Sequence, residues 1–183
     1  AQQISTDGLG CLSDTVQINI QTLTAPVISG TSTVCEDAAG QYAIPSQPNL
    51  DIQWKILPTT AGTVSKGQGT NQVEIFWTQQ GGHAVEVTVC GLKSIFPVSV
   101  PARPSPLVLH PVGVCPGKAA PVQTTTVFNA YNWKTASGNF VSSSSTPQLG
   151  PGAYQVAVTD PSGCSGTAAF NIDTFPTPNL SVT

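Results

Sequence analysis

The chain has 183 residues, 39% of them hydrophobic, enough for one large core or two small ones. Charged residues make up only 8%, against about 25% in an ordinary soluble domain; Thr, Ser, Gln and Asn keep the surface wet instead. A net charge of -3, a pI near 5.0 and six scattered basic residues provide no patch for nucleic acid, and no run approaches the roughly 18 apolar residues of a membrane span.

Taken in order, residues 1–25 read as the last two strands of a domain. The first copy of an internal repeat, AQQISTDGLGC, ends at Cys11, and an alternating strand follows over 15–21. A two-stranded hairpin is marginal alone, so this piece must lean on further chain. A complete unit begins at Pro26, with strands predicted over 27–29, 41–44, 51–57, 72–77, 83–89 and 93–100. Alternation is clear in Ile52, Trp54, Ile56; in Val73, Ile75, Trp77; and in Val85, Val87, Val89. Pro48-Asn49, Ala61-Gly62, Gly67-Gln68-Gly69 and Gly81-Gly82 read as turns, and Pro97 marks the last strand as an edge.

The stretch PARPSP, 101–106, is a stiff linker. A second unit follows, with strands predicted over 107–109, 122–126, 130–134 and 147–149, and the serine run 142–145 read as a loop. The second copy of the repeat closes it: GAYQVAVTDPSGC ends at Cys164 and shares TD-x-x-GC with the first copy. Asp160-Pro161-Ser162-Gly163 suits a type I turn, and a final strand spans 167–173. Residues 179–183 resemble the strands that open the two units. Many short strands between turn signals argue for an all-β chain of tandem β-sandwich domains. With no methionine and no signal peptide, the chain is expected to be an internal fragment of a longer, processed polypeptide.

Candidate chemistry is sparse. Five cysteines without a C-x-x-C pair, and only two histidines, argue against zinc and for an oxidising compartment. His83 and His110 have no nucleophile or carboxylate beside them and read as surface residues. The acidic residues are thinly spread; Glu36-Asp37 is the one adjacent pair where a linker calcium could be sought, and calcium takes six to eight oxygens. Asp7 and Asp160 read as turn caps. Trp54 and Trp133 read as core, with Trp77 or Phe76 beside Phe140 or Tyr131 weighed as a sugar platform. Asn179-Leu180-Ser181 fits an N-glycosylation sequon, and Asp14-Thr15-Val16 resembles the O-glycosylation signal of Bacteroidota, which makes Thr15 a candidate site. The reading assigns no catalytic residue, metal ligand or cofactor.

Residues 31–91, with TVCEDAAGQYAI, IQWKI, GTVSKGQGTNQVEIFW and HAVEVTVCG, resemble the PKD-like repeats of Bacteroidota surface proteins. Residues 107–173, with GVCPGKAAPV, YNW and GAYQVAVTDPSGCSGTA, resemble the immunoglobulin-like repeats found beside them. Such arrays are similar to those of SprB-type gliding-motility adhesins and other substrates of the type IX secretion system. The glycine-aspartate turn usual after the PKD tryptophan is missing, since Trp54 is followed by KILPTTAG.

The resemblance implies the last two strands of an immunoglobulin-like domain at 1–25, a PKD-like sandwich at 26–103, an immunoglobulin-like sandwich at 104–178, and a first strand or linker at 179–183. It implies a non-catalytic segment of a large extracellular repeat protein at the cell surface, exported through periplasm and outer membrane, acting as stalk or adhesive module. Its partners would be neighbouring repeats of the same chain, surface polysaccharide or the secretion machinery, with no nucleic acid and no membrane insertion. The alternative is a carbohydrate-binding or spacer module of a secreted polysaccharide-degrading enzyme. The order Cys35, Trp54, Cys90 and then Cys115, Trp133, Cys164 resembles the cysteine and tryptophan order of immunoglobulin domains. It implies disulfides Cys35–Cys90 and Cys115–Cys164, with Cys11 unpaired in this fragment. Neither Cys115 nor Cys164 falls mid-strand and Cys90 has the wrong parity, so a cross-domain bond from Cys35 to Cys164 stays open beside the favoured intradomain pairs.

Overall fold

The computed structural model describes residues 24–46 and 50–176. Cys11, Thr15, the strand expected over 15–21 and the Asn179 sequon lie outside them. Among the described residues every regular element is a β-strand, in two successive sandwiches with separate hydrophobic cores. No helix among them is long and apolar enough to cross a membrane.

The first sandwich contains β1 (Ser29–Gly30), β2 (Ala38–Ala43), β3 (Ile52–Leu57), β4 (Gly62–Lys66), β5 (Gln72–Trp77), β6 (Gly81–Val89) and β7 (Leu92–Val100). One sheet runs β1-β2-β5-β4 and the other β3-β6-β7. This is the A-B-E-D and C-F-G arrangement of a constant-type immunoglobulin sandwich. Alternation decides which side chains face inward. Ile52, Trp54 and Ile56 of β3, Val85, Val87 and Val89 of β6, and Val73, Ile75 and Trp77 of β5 are all buried, on the period of two that a pleated strand imposes. Trp77 lies fully inside, its Nε1 donating to Tyr42 Oη at 3.1 Å. The free edge of β3 is met by a side chain: the Gln68 amide accepts from Trp54 N and donates to Trp54 O, both at 3.1 Å. This occupies edge groups that would otherwise invite a foreign strand.

The second sandwich contains β8 (Val108–Leu109), β9 (Gly113–Val114), β10 (Ala120–Pro121), β11 (Gln123–Thr124), β12 (Ala130–Thr135), β13 (Phe140–Ser142), β14 (Gln148–Leu149), β15 (Gly152–Thr159) and β16 (Ser165–Thr174). Its main sheet runs β13-β12-β15-β16-β9, with β9 parallel to β16. The facing layer is made of the pairs β8–β11 and β10–β14. Val122, between β10 and β11, is fully buried with Trp133, Val156 and Ile172. Trp133 Nε1 donates to Ser144 O at 2.7 Å, so the serine run anchors the core tryptophan.

The structure corrects several expectations. Ala61-Gly62 does not make a simple turn, because Gly62 opens β4; a side chain there would strike the Phe76 backbone, so glycine marks a close approach. Gly81-Gly82 extends β6 instead of ending a loop, pairing with Val100 and Ser99. Ser142 belongs to β13. β7 does lie at a sheet edge, as Pro97 predicts.

Candidate functional site at the junction of the two sandwiches

The chain leaves β7 at Val100 and reaches β8 at Val108 through an extended linker without regular structure. The linker is packed against the hairpin between β15 and β16. Gly166 is buried under the linker, and a Cβ there would collide with the Pro104 carbonyl. Arg103 Nε donates to Ser165 O at 3.3 Å, and Arg103 N donates to Glu36 Oε2 at 3.4 Å. Arg103 therefore touches both units.

The covalent element of this junction is a disulfide between Cys35 and Cys164, with the Cα atoms 5.6 Å apart. It corrects the favoured pairs Cys35–Cys90 and Cys115–Cys164; Cys90 and Cys115 are exposed free thiols. The reason is distance along a strand. Cys35 sits beside the far end of β7, where Glu36 N donates to Pro101 O at 3.0 Å. Cys90 sits at the near end, just before Leu92. Nine residues of strand put about 30 Å between them, whereas a disulfide spans at most about 7 Å between Cα atoms. In the second unit Phe175 N donates to Val114 O at the far end of β16, beside Cys115, while Cys164 precedes that strand. The ends that do meet are those flanking the linker.

The turn carrying Cys164 is tightly built. Gly163 N donates to Asp160 O at 3.1 Å, closing the predicted type I turn. Asp160 Oδ1 accepts from Ser162 Oγ at 2.6 Å and from the backbone N of Ser162 and Cys164, both at 2.9 Å. The Ser162 hydroxyl, helped by the N–H groups of Cys164, Ser162 and Gly163 and opposed by partial desolvation, holds the Asp160 carboxyl below the usual range. Cys164 itself is fully buried. In a chain-entropy account, a bond across 129 residues removes about 5 kcal/mol of unfolded-state freedom.

The remaining candidates do not assemble into a site. All three tryptophans are buried, and the exposed Phe76 and Phe140 belong to different units, so no row of aromatic rings forms a sugar platform among the described residues. Glu36 meets the linker at Arg103 N, and among the described residues neither it nor Asp37 belongs to a group of three or more acidic, His or Cys residues that could hold a metal ion. His110 is exposed, as expected, with its ring against Phe170. His83, expected at the surface, is half-buried: its ring stacks on Trp77 at 5.6 Å and Nε2 bonds Gln79 O at 2.8 Å. Sequence reasoning also missed Tyr154, whose hydroxyl donates to Gly150 O at 3.2 Å. A tyrosine near the start of strand F that bonds back to the chain upstream is the tyrosine corner of immunoglobulin sandwiches; its signal lay in LGPGAY.

No protein-family model matches the chain, and no curated protein does. Among solved structures it is similar to the C-terminal 282-residue fragment of intimin in complex with the intimin-binding domain of the translocated intimin receptor. That match has 15% identity, covers 84% of this chain and 64% of that one, and has a TM-score of 0.47. The Yersinia pseudotuberculosis adhesin InvE matches at 11% identity over 79% and 58%, with a TM-score of 0.33. Titin domains A168–A170 match at 11% over 83% and 66%, with a TM-score of 0.34. The chain spans less than two thirds of the length of the intimin and InvE structures. With TM-scores below 0.5, these likenesses add nothing to what the strand topology already shows.

Proposed function

We propose that the chain is a non-catalytic, load-bearing segment of a large extracellular repeat protein, serving as stalk or adhesive module at a bacterial cell surface. The observation that carries this reading is where the disulfide lies. Each sandwich has its own core, and the Cys35–Cys164 bond joins the two units across the linker instead of stapling either one. Such a bond has its greatest effect on tension and bending between units. Pulling on both ends would run the load through Cys35 and Cys164, by-passing the chain between them. An oxidised cystine also fits a protein that works outside the cytosol.

The units proposed are 26–103 and 104–178, with 1–25 and 179–183 belonging to neighbouring domains. The sequence resemblance further favours a gliding-motility adhesin exported by the type IX system, whose many weak contacts with surface polysaccharide would add up through effective concentration. The test is the intact parent polypeptide, recovered from the cell surface and sized by denaturing electrophoresis and mass spectrometry. A chain of many such units without a catalytic domain is expected. A chain only a few domains longer and carrying a hydrolase would overturn the reading and make this segment an enzyme's spacer.

A further inference from the structure

Cys90 and Cys115 occupy the places in their own units that Cys164 and Cys35 occupy in the bonded junction. Cys35 follows Val34, a buried valine beside the parallel bridge Thr33–Ser99; Cys115 follows Val114, a buried valine on β9, which runs parallel to β16. Two residues beyond each cysteine the backbone turns through a positive φ, 58° at Asp37 and 72° at Gly117. Cys35 and Cys115 therefore lie at the same end of their sandwiches, the end from which the chain departs. Cys90 and Cys164 both lie in the hairpin that joins the last two long strands, β6 to β7 and β15 to β16, at the end where the chain enters. The match is one of place, since the Cys90 turn has two residues and the Cys164 turn five.

Resting on the tandem-array reading, we infer that the junction bond recurs along the array as a ladder. Cys115 bonds the last-hairpin cysteine of the unit that follows, and Cys90 bonds the cysteine preceding the second strand of the unit before. Both thiols are exposed at the ends that face those neighbours. Cys11 lies in TD-x-x-GC, the sequence that ends at Cys164, so by sequence it corresponds to Cys164 and not to Cys35, the kind of cysteine the ladder assigns to Cys90. Each bond forms by exchange with an oxidised dithiol carrier of the exporting compartment. One thiolate attacks the carrier's disulfide, the second thiolate displaces the carrier, and the carrier departs as two thiols holding the two electrons. The result is a covalent track through every junction, each bond reaching past the linker it spans.

The experiment is peptide mapping of the intact parent polypeptide, alkylated and digested without reduction. The expected map links the Cys115 peptide to a last-hairpin cysteine downstream and the Cys90 peptide to a cysteine upstream, with Cys35 linked to Cys164. Alkylated Cys90 and Cys115, or the two joined to each other, in a polypeptide that carries flanking units would overturn the ladder while leaving the array reading intact. A polypeptide without flanking units, recognised from its mass alone, would overturn both. As a second readout, Cys115→Ser in the same polypeptide is expected to expose one new alkylatable thiol, at the downstream hairpin, with the Cys35–Cys164 link retained. No new thiol would count against the ladder even if the variant folds normally.

Discussion

His83 and Tyr154 fill the same corner in the two sandwiches. Each is the third residue of its strand, in β6 and β15, and each bonds a carbonyl oxygen four residues upstream: Gln79 O at 2.8 Å and Gly150 O at 3.2 Å. In the histidine only Nε2 meets an acceptor, which fixes the proton there, and Nδ1 is buried without a partner. Tyr154→Phe removes one hydrogen bond and should cost about 1 kcal/mol. His83→Ala removes the bond and the stack on Trp77, for about 2 kcal/mol. Urea unfolding should place the first loss in the second unit and the other in the first. Because the cores are separate, the double variant should lose the sum.

The buried Tyr42 gives the first unit an alkaline limit. Burial pushes its phenol up to about 12, only partly offset by the hydrogen bond that Trp77 donates. A folded value above the unfolded one, about 10, favours the protonated form in the fold. That contribution is complete below about pH 10 and is lost as pH rises toward about 12, on the order of 2–3 kcal/mol in total. Unfolding free energies from urea titrations near pH 9 and near pH 11.5 should differ by about 2 kcal/mol, most of that total, and Tyr42→Phe should remove the difference.

Much of this architecture was legible in the sequence, for local reasons. Strands such as β3, β5 and β6 carry alternating valine, isoleucine and tryptophan, and burial then follows from the pleat. The elements missed were those whose pairing is long-range or whose residues carry no alternation. β9 is two residues long and pairs in parallel with a strand some sixty positions away. β4 opens on a glycine that reads as a turn until Phe76 is placed above it. The junction was half visible. The two TD-x-x-GC copies mark the hairpin cysteine, and parity argued against the immunoglobulin pairing, but only the order of the ends along β7 and β16 brings Cys35 to Cys164.

Gly166 should be the most sensitive small residue of the linker contact. Any side chain there meets the Pro104 carbonyl, which belongs to backbone and cannot swing away. Gly166→Ala should therefore lift the linker and cost about 1–3 kcal/mol, the usual range for overpacking. Both hydrophobic cores should stay intact, as read by near-ultraviolet circular dichroism of their tryptophans.

Asp160 should control how readily the junction bond is reduced. Cys164 is fully buried, so a reductant must wait for the turn to open, and the Asp160 carboxylate holds that turn through three hydrogen bonds. Its depressed folded value means that this support is present above the ordinary aspartate range and is lost as pH falls through the lowered one. Asp160→Ala should accelerate reduction by dithiothreitol several-fold at neutral pH without changing the Cys35–Cys164 pairing. An unchanged rate would show that opening of the turn does not limit access.

The mechanical consequence of the bond can be read one molecule at a time. When the chain is pulled by its ends in the oxidised state, the segment between Cys35 and Cys164 cannot lengthen. Both sandwiches lie mostly within that segment, so force applied at the ends never reaches most of their strands. With 129 residues withheld, and about 3.5 Å per extended residue, the oxidised chain should release about 450 Å less contour than the reduced one. Cys35→Ser should behave as the reduced chain does even without reductant, showing separate unfolding events for the two cores. Equal extensions in the oxidised and reduced states would mean that the load does not pass through this bond, and the junction would then be a spacer instead of a clasp.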